Sequence, residues 1–235
     1  MINNKKNMTR NENFCSIKFD AVNHQYHTPD GRACPSVTQV LPELPEHLKY
    51  NQNFIDKTEL GTRVHFATQV IDCGGAPLKP ITLHVLNTKC LPDDPDVPFA
   101  KYQEQDVPYV NAWIKCRQQH KMDIRAVEKR VFSVKYDYAG AVDRVAVIED
   151  ALTIIDIKTV TELSPTVALQ LAGYAIAYME ENGIKYPPDR VAVQLKPDGT
   201  FVWKKYQRNC FNYDSSVFLS KVVSAKWDLE NLNKR

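Results

Sequence analysis

The chain has 235 residues, 43% of them hydrophobic, and its 30 basic and 28 acidic side chains leave a formal charge of only +2. That is enough apolar material for one large or two small cores, and the near-neutral total excludes a protein that captures a polyanion through its overall field. No apolar run nears the roughly 20 residues of a bilayer span, and the opening MINNKKNMTRNEN lacks a signal-peptide hydrophobic stretch, so a cytoplasmic protein with no membrane partner is expected.

In chain order, HQYHTPDGRACPSVTQVL places an Asp30-Gly31 turn between two short strands. Ser36 follows as N-cap of a short helix. From about Lys57 to Asp72, Leu60, Val64, Ala67 and Ile71 recur at helical spacing, and the helix should stop at Gly74-Gly75. The proline-rich stretch from Pro77 to Pro98 predicts an irregular connection. A second helix is expected from about Phe99 to His120.

The period then changes to two. IRAVEKRVFSV, YAGAVDRVAVI and LTIIDIKTV predict three successive strands in an antiparallel meander. Ser164 as N-cap, Pro165 at N1 and Gly183 at the C-terminal cap bracket a helix over about 165–182. Two strands, RVAVQLK and TFVWKKY, flank a Pro197-Asp198-Gly199 turn, and an amphipathic helix from about Asp214 to Leu232 closes the chain. The fold class expected is α/β (α+β): one domain, with an N-terminal extension over 1–56, a core over about 57–210 and a C-terminal helix over 211–235.

The six cysteines (Cys15, Cys34, Cys73, Cys90, Cys116, Cys210) show no CxxC and no histidine at zinc spacing, and read as ordinary thiols. Between Lys185 and Arg208, six bases face only Asp189 and Asp198, a local balance of +4. This is either a solvated surface hairpin or a phosphate-binding face.

The third strand poses the chemical question, because LTIIDIKT carries Asp156 and Lys158 inside an otherwise apolar run. Alternation puts Ile154, Asp156 and Lys158 on one face and Ile155 and Ile157 on the other. A two-residue loop at Glu149-Asp150 would set Asp143 directly opposite Asp156, where like charges destabilise a sheet. Two such carboxylates can share a proton, pair with cations or bind a divalent metal. Lys158 is the nearer cation, since Arg144 points away from Asp143 in a regular strand. Glu128 falls opposite Asp143 if the preceding loop at Lys135-Tyr136 holds two residues. A structural Asp-Lys pair and a metal site both fit this pattern.

Asp143 in GAVDRV followed by Asp156-x-Lys158 in IIDIKT resembles the divided signature of the PD-(D/E)xK nuclease superfamily. GTRVH, with Gly61 and His65, is similar to the GxxxH motif of its RecB-like, phage-type exonuclease branch, and QLAGY, with Gln170 and Tyr174, to its QxxxY motif. The resemblance covers about Gly61 to Leu195. It implies a restriction-endonuclease-like core, a mixed sheet in αβββαβ order flanked by helices.

By that resemblance His65, Asp143, Asp156 and the carbonyl of Ile157 would hold Mg²⁺, with Mn²⁺ able to substitute. Lys158 would orient the attacking water, and Glu128 matches a first-strand acid of some members. Gln170 and Tyr174 would contact phosphate or catalytic groups. Lys196, Lys204 and Lys205 are the basic candidates for DNA.

The implied activity is metal-dependent DNA exonuclease action on a free end, single- or double-stranded, in phage-type recombination, repair or DNA degradation. A separate annealing or recombination protein is the implied partner, and host cytoplasm the location if the gene is phage-borne. A structure-selective endonuclease and a catalytically idle DNA-binding protein are the competing functions. Some relatives hold an iron-sulfur cluster with three cysteines near the C-terminus; here only Cys210 follows Tyr174, so no cluster is expected.

Overall fold

The computed structural model describes residues 17–20, 25–28, 30–42, 52–74, 79–89 and 101–231. Its centre is a five-stranded mixed sheet, order β4-β5-β6-β7-β8, built from β4 (Asp123–Ser133), β5 (Tyr138–Ile148), β6 (Ala151–Lys158), β7 (Asp189–Leu195) and β8 (Phe201–Tyr206). β4, β5 and β6 form the expected antiparallel meander. β6 and β7 run parallel, and β8 returns antiparallel. The parallel pair needs a crossover, which helix α4 (Val167–Asn182) supplies. A second sheet of three short strands, β1 (Lys18–Asp20), β2 (Gln25–His27) and β3 (Ala33–Cys34), contains the expected hairpin and adds one strand to it.

Helices cover both faces of the large sheet. On one side α1 (Gln52–Cys73), α2 (Leu83–Lys89) and α3 (Val107–Gln119) bury Leu60, Val64, Ala67, Leu86, Trp113 and Ile114 against Ile155, Ile157, Val191 and Val193. On the other, α4 and α5 (Phe211–Asn231) bury Leu171, Ala175, Phe218 and Val222 against Val142, Val145, Ile154 and Ala192. The alternation expected for β6 therefore holds: Ile154 serves one core, Ile155 and Ile157 the other. Each wholly buried isoleucine contributes about 1.5–3 kcal/mol, which pins the register. No helix among the described residues is long and apolar enough to cross a membrane.

Several local expectations are corrected. Ser36 does not start a helix: it closes a single turn, its Oγ accepting from Gln39 N while Gln39 Oε1 accepts from Ser36 N, with Val40 N bonded to Ser36 O. The β-branched Val37, Thr38 and Val40 disfavour propagation. α1 begins at Gln52, so it crosses the boundary expected at residue 56. The stretch read as irregular contains α2; Pro80 lies just ahead of that helix, where proline is tolerated. Gly75, Pro77 and 90–100, including Cys90 and the expected helix start at Phe99, lie outside the described residues, as do Cys15 and Leu232.

α3 starts at Val107, after a 3-10 turn over Glu104–Asp106, because the Asp106 carboxylate accepts from Gln103 N and from Arg63. α4 starts at Val167, since Ser164 Oγ accepts from Thr166 N and ties Ser164 and Pro165 into a preceding turn. Its end is as expected, with Gly183 left-handed at φ 62°. α5 starts at Phe211, three residues earlier than expected.

Candidate functional site

β5 and β6 are joined by Glu149 and Asp150, both at positive φ (48° and 62°), the conformation of a tight two-residue hairpin. The ladder runs from Ile148↔Ala151 to Arg144↔Ile155 and stops there. The next opposed positions are Asp143 and Asp156, where the strands stop pairing and a side chain takes over: Asp143 Oδ2 accepts from Ile157 N at 2.6 Å. β4 and β5 are joined by four residues, 134–137, rather than two. The register is nonetheless the one expected, Ser133↔Tyr138 through Lys129↔Val142. Glu128 belongs opposite Asp143 but drops out of the ladder at φ 46°, left-handed backbone that a glutamate rarely adopts.

α1 supplies the imidazole. Gly61 lies against the end of β6, where an added Cβ would stand 3.2 Å from Thr159 Oγ1, and one turn later His65 Nε2 meets the carbonyl oxygen of Ile157 at 2.7 Å. With the neutral ring protonated on Nε2, the Nδ1 lone pair faces Asp143 Oδ2 at 3.7 Å. Two acceptors so placed are satisfied by a cation between them.

Ligand atoms of His65, Glu128 and Asp143 all lie within 4.8 Å of one another. Asp156 stands beside that group but is turned to Lys158, whose Nζ is 2.9 Å from both of its oxygens, hydrogen-bonded to Oδ1 and ion-paired with buried Oδ2. Burial and the neighbouring Asp143 push the Glu128 carboxyl up to about 7. Burial also lifts Asp156 to about 6, against the pull of Lys158. For Lys158, burial opposes the charge, but Asp156 and Asp143 outweigh it and hold the ammonium above its ordinary value. The carboxylates of Glu128 and Asp143 with an imidazole and a carbonyl make a donor set that could hold a hard divalent cation of the Mg²⁺ or Mn²⁺ kind.

Gln170 and Tyr174 approach the carboxylates from α4, with Gln170 Nε2 donating to the Tyr174 hydroxyl at 3.1 Å. Burial first, then Asp156 and Asp143, raise the tyrosine well above its ordinary pKa. Both side chains are almost wholly buried, and neither lines the open cleft. Tyr174 also packs on Gly140 of β5, where a Cβ would come within 2.7 Å of its ring.

The basic candidates do not gather at the cluster. Lys205 is paired with Asp189 at 2.6 Å near the start of β7, the end remote from Lys158. Lys204, two strands from Asp156, lies over the Tyr206 ring, and Lys196 flanks the β7–β8 turn. Arg190, counted in the same basic stretch, is buried against Asp214.

The opening is instead a cleft of about 740 Å³ between α1 and the segment after β6, bordered by Lys57, Thr62, Phe66, Gln69 and Thr161, with His65, Glu128 and Lys158 in its wall. These α1 side chains were not singled out from sequence. For Lys57, Thr62 and Gln69, positions on the same helix as His65 at spacings of eight, three and four were the available signal; Phe66, its immediate neighbour, had none.

No family model matches the sequence, and no curated protein matches it. Among solved structures, the crystal structure of SSO0001 aligns at 12% identity with a TM-score of 0.30, over 49% of this chain and 58% of that one. The match thus spans little more than half of that protein, and a likeness this small carries no argument.

Proposed function

We propose that the chain is a metal-dependent deoxyribonuclease of the PD-(D/E)xK superfamily, RecB-like branch, that removes nucleotides from a DNA end. The observation that carries this reading is the meeting of His65, Glu128 and Asp143 donor atoms within 4.8 Å, next to the Asp156–Lys158 pair and at the wall of an open cleft. The central succession α3, β4, β5, β6, α4, β7 supports the restriction-endonuclease-like core that the motifs imply.

His65, Glu128, Asp143 and the Ile157 carbonyl would hold Mg²⁺ or Mn²⁺, with the Asp156 carboxylate, ion-paired to Lys158, beside them. When bound, such an ion supplies Lewis-acid polarisation of a phosphoryl oxygen and makes water a stronger acid. The chain's own groups do the rest. Lys158, paired with Asp156, is a hydrogen-bond donor rather than a proton acceptor, so it orients the attacking water and offsets charge gathering on the phosphate. Asp156 fixes the ammonium in place. Lys57 stands two helical turns from His65, roughly 12 Å along α1, where it can take a phosphate further along the strand.

Linear DNA labelled at either end, compared with closed circles in Mg²⁺, tests the reading. Stepwise loss of label from ends is expected, abolished by chelator and by Asp143→Ala or Lys158→Ala. Rapid cutting of circles would transfer the site to an endonuclease, and degradation that persists in the Asp143→Ala/Asp156→Ala double variant would remove it from these residues.

A further inference from the structure

Glu128 is the least expected member of the cluster. It sits in a strand but not in its ladder, at a left-handed φ, with a carboxylate crowded by that of Asp143. Repulsion from Asp143 favours its turning away further into the cleft, and the left-handed φ is a cost that the surrounding structure must sustain. What opposes that turning is Arg144. This guanidinium has no exposure and uses every edge of its fork. Nη1 donates to Glu128 Oε1 at 3.0 Å and to the Asp143 carbonyl at 2.6 Å; Nη2 donates to Thr68 Oγ1 at 2.9 Å; Nε pairs with Asp72.

Asp72 is itself held from three directions. Besides Arg144, it accepts from Trp113 Nε1 and from Arg117 Nη1 at 2.6 Å. The anchor therefore spans α1, α3 and β5, and its free end reaches the donor group. A planar five-donor fork serves Asp72, Thr68, Glu128 and the Asp143 carbonyl at once from three separate nitrogens; a lysine ammonium has three donors on one atom and cannot.

We infer that Arg144, clamped by Asp72 and Thr68, is the positioning residue that turns the Glu128 carboxylate into the cation site and fixes it beside His65 and Asp143. The inference rests on the metal-site reading above, but not on the identity of the substrate. It assigns the buried charge network an orienting function in addition to its part in the fold. Partners of metal ligands that act in this way typically change metal affinity by about 10- to 100-fold when removed.

Calorimetric titration of the full-length protein with Mn²⁺, without DNA, tests it through a double-mutant cycle of Arg144→Lys and Glu128→Gln. Arg144→Lys is expected to weaken Mn²⁺ binding about 10- to 100-fold, and to add nothing further when Glu128 is already glutamine. Equal weakening in both backgrounds, or none in either, overturns the inference, because a purely structural arginine would act regardless of residue 128.

If Arg144→Lys does not fold by circular dichroism, Thr68→Val replaces it in the same cycle. Removing one hydroxyl anchor is expected to cost about 2- to 10-fold, again only where Glu128 is present. A protein that shows this coupling but leaves DNA intact keeps the positioning role and loses the nuclease reading. A protein that degrades DNA with no coupling does the reverse.

Discussion

His65 Nε2 and the carbonyl oxygen of Ile157 lie 2.7 Å apart across 92 residues of sequence. The contact ties the middle of α1 to the backbone between Asp156 and Lys158, so the helix cannot shift without moving the end of β6. His65→Ala removes the tie and, on the proposed reading, a ligand atom. The half-saturating Mg²⁺ concentration for DNA degradation should rise about 10- to 100-fold, whereas stability, measured by urea unfolding, should fall by no more than about 1 kcal/mol for this partly exposed side chain. An unchanged metal requirement would take His65 out of the site.

The left-handed backbone at Glu128 makes an unusual prediction about two variants that lose the same carboxylate. Glycine occupies φ 46° without the steric cost an L side chain meets there. Glu128→Gly should therefore be more stable than Glu128→Ala by about 1 kcal/mol, the reverse of the order expected in an ordinary strand. Urea denaturation of the pair measures the difference directly.

Gly173 of α4 lies flat against Phe218 of α5, and an added Cβ would stand 2.5 Å from Phe218 Cζ. Gly173→Ala should destabilise the protein by about 1–3 kcal/mol through overpacking. Phe218→Leu in the same chain should recover part of that loss, although alone it is destabilising. Thermal unfolding of the two single variants and the double variant reads the sign of the coupling.

Asp189 gives a pH dependence with a defined sign. Burial raises its pKa, but the ion pairs with Lys205 and Arg208, each at 2.6 Å, outweigh burial and hold it below the ordinary carboxylate value. A depressed folded pKa contributes stability that is present above the unfolded value of about 3.9 and is lost as pH falls through the folded value. The slope of unfolding free energy against pH below about pH 4 should flatten in Asp189→Asn. A slope unchanged from the parent would assign acid sensitivity to other carboxylates.

On the proposed nuclease reading, the cleft predicts where DNA would bind. Lys57 is exposed at its rim, whereas Lys205 is already paired with Asp189. Lys57→Glu should weaken oligonucleotide binding and reduce the salt dependence by about one counterion. Lys205→Glu should change that slope less. Fluorescence anisotropy in Ca²⁺ at several salt concentrations compares them, and a larger effect at Lys205 would place the strand across β8 instead.

Much of the site was legible because its geometry is set by neighbours in sequence. The two-residue turn at Glu149-Asp150 puts Arg144 opposite Ile155 by counting, and alternation then places Asp156 and Lys158 together. Gly61 and His65, or Gln170 and Tyr174, lie one turn apart on any helix. What could not be counted was long-range. Arg144 meets Asp72 across 72 residues, and nothing in either segment marks the other as partner. In the basic stretch from Lys185 to Arg208, likewise, a charge total does not show that Arg190 turns inward to Asp214. α2 was hidden by prolines that stand before a helix as readily as in a loop.

The parallel pairing of β6 with β7 carries a consequence for the order in which the protein can be completed. Asp156 pairs with Ala192 and Lys158 with Gln194, and the Gln194 amide donates to the carbonyls of Val160 and Thr161 just beyond the lysine. All the residues assigned to the cluster precede residue 159, yet the strand that carries three of them, Asp156, Ile157 and Lys158, has an unpaired edge until the chain has run through α4 and back. During synthesis the polypeptide must therefore reach about Leu195 before the cluster has a finished wall. A truncated chain that retains every motif residue would still lack the neighbour that holds them in line.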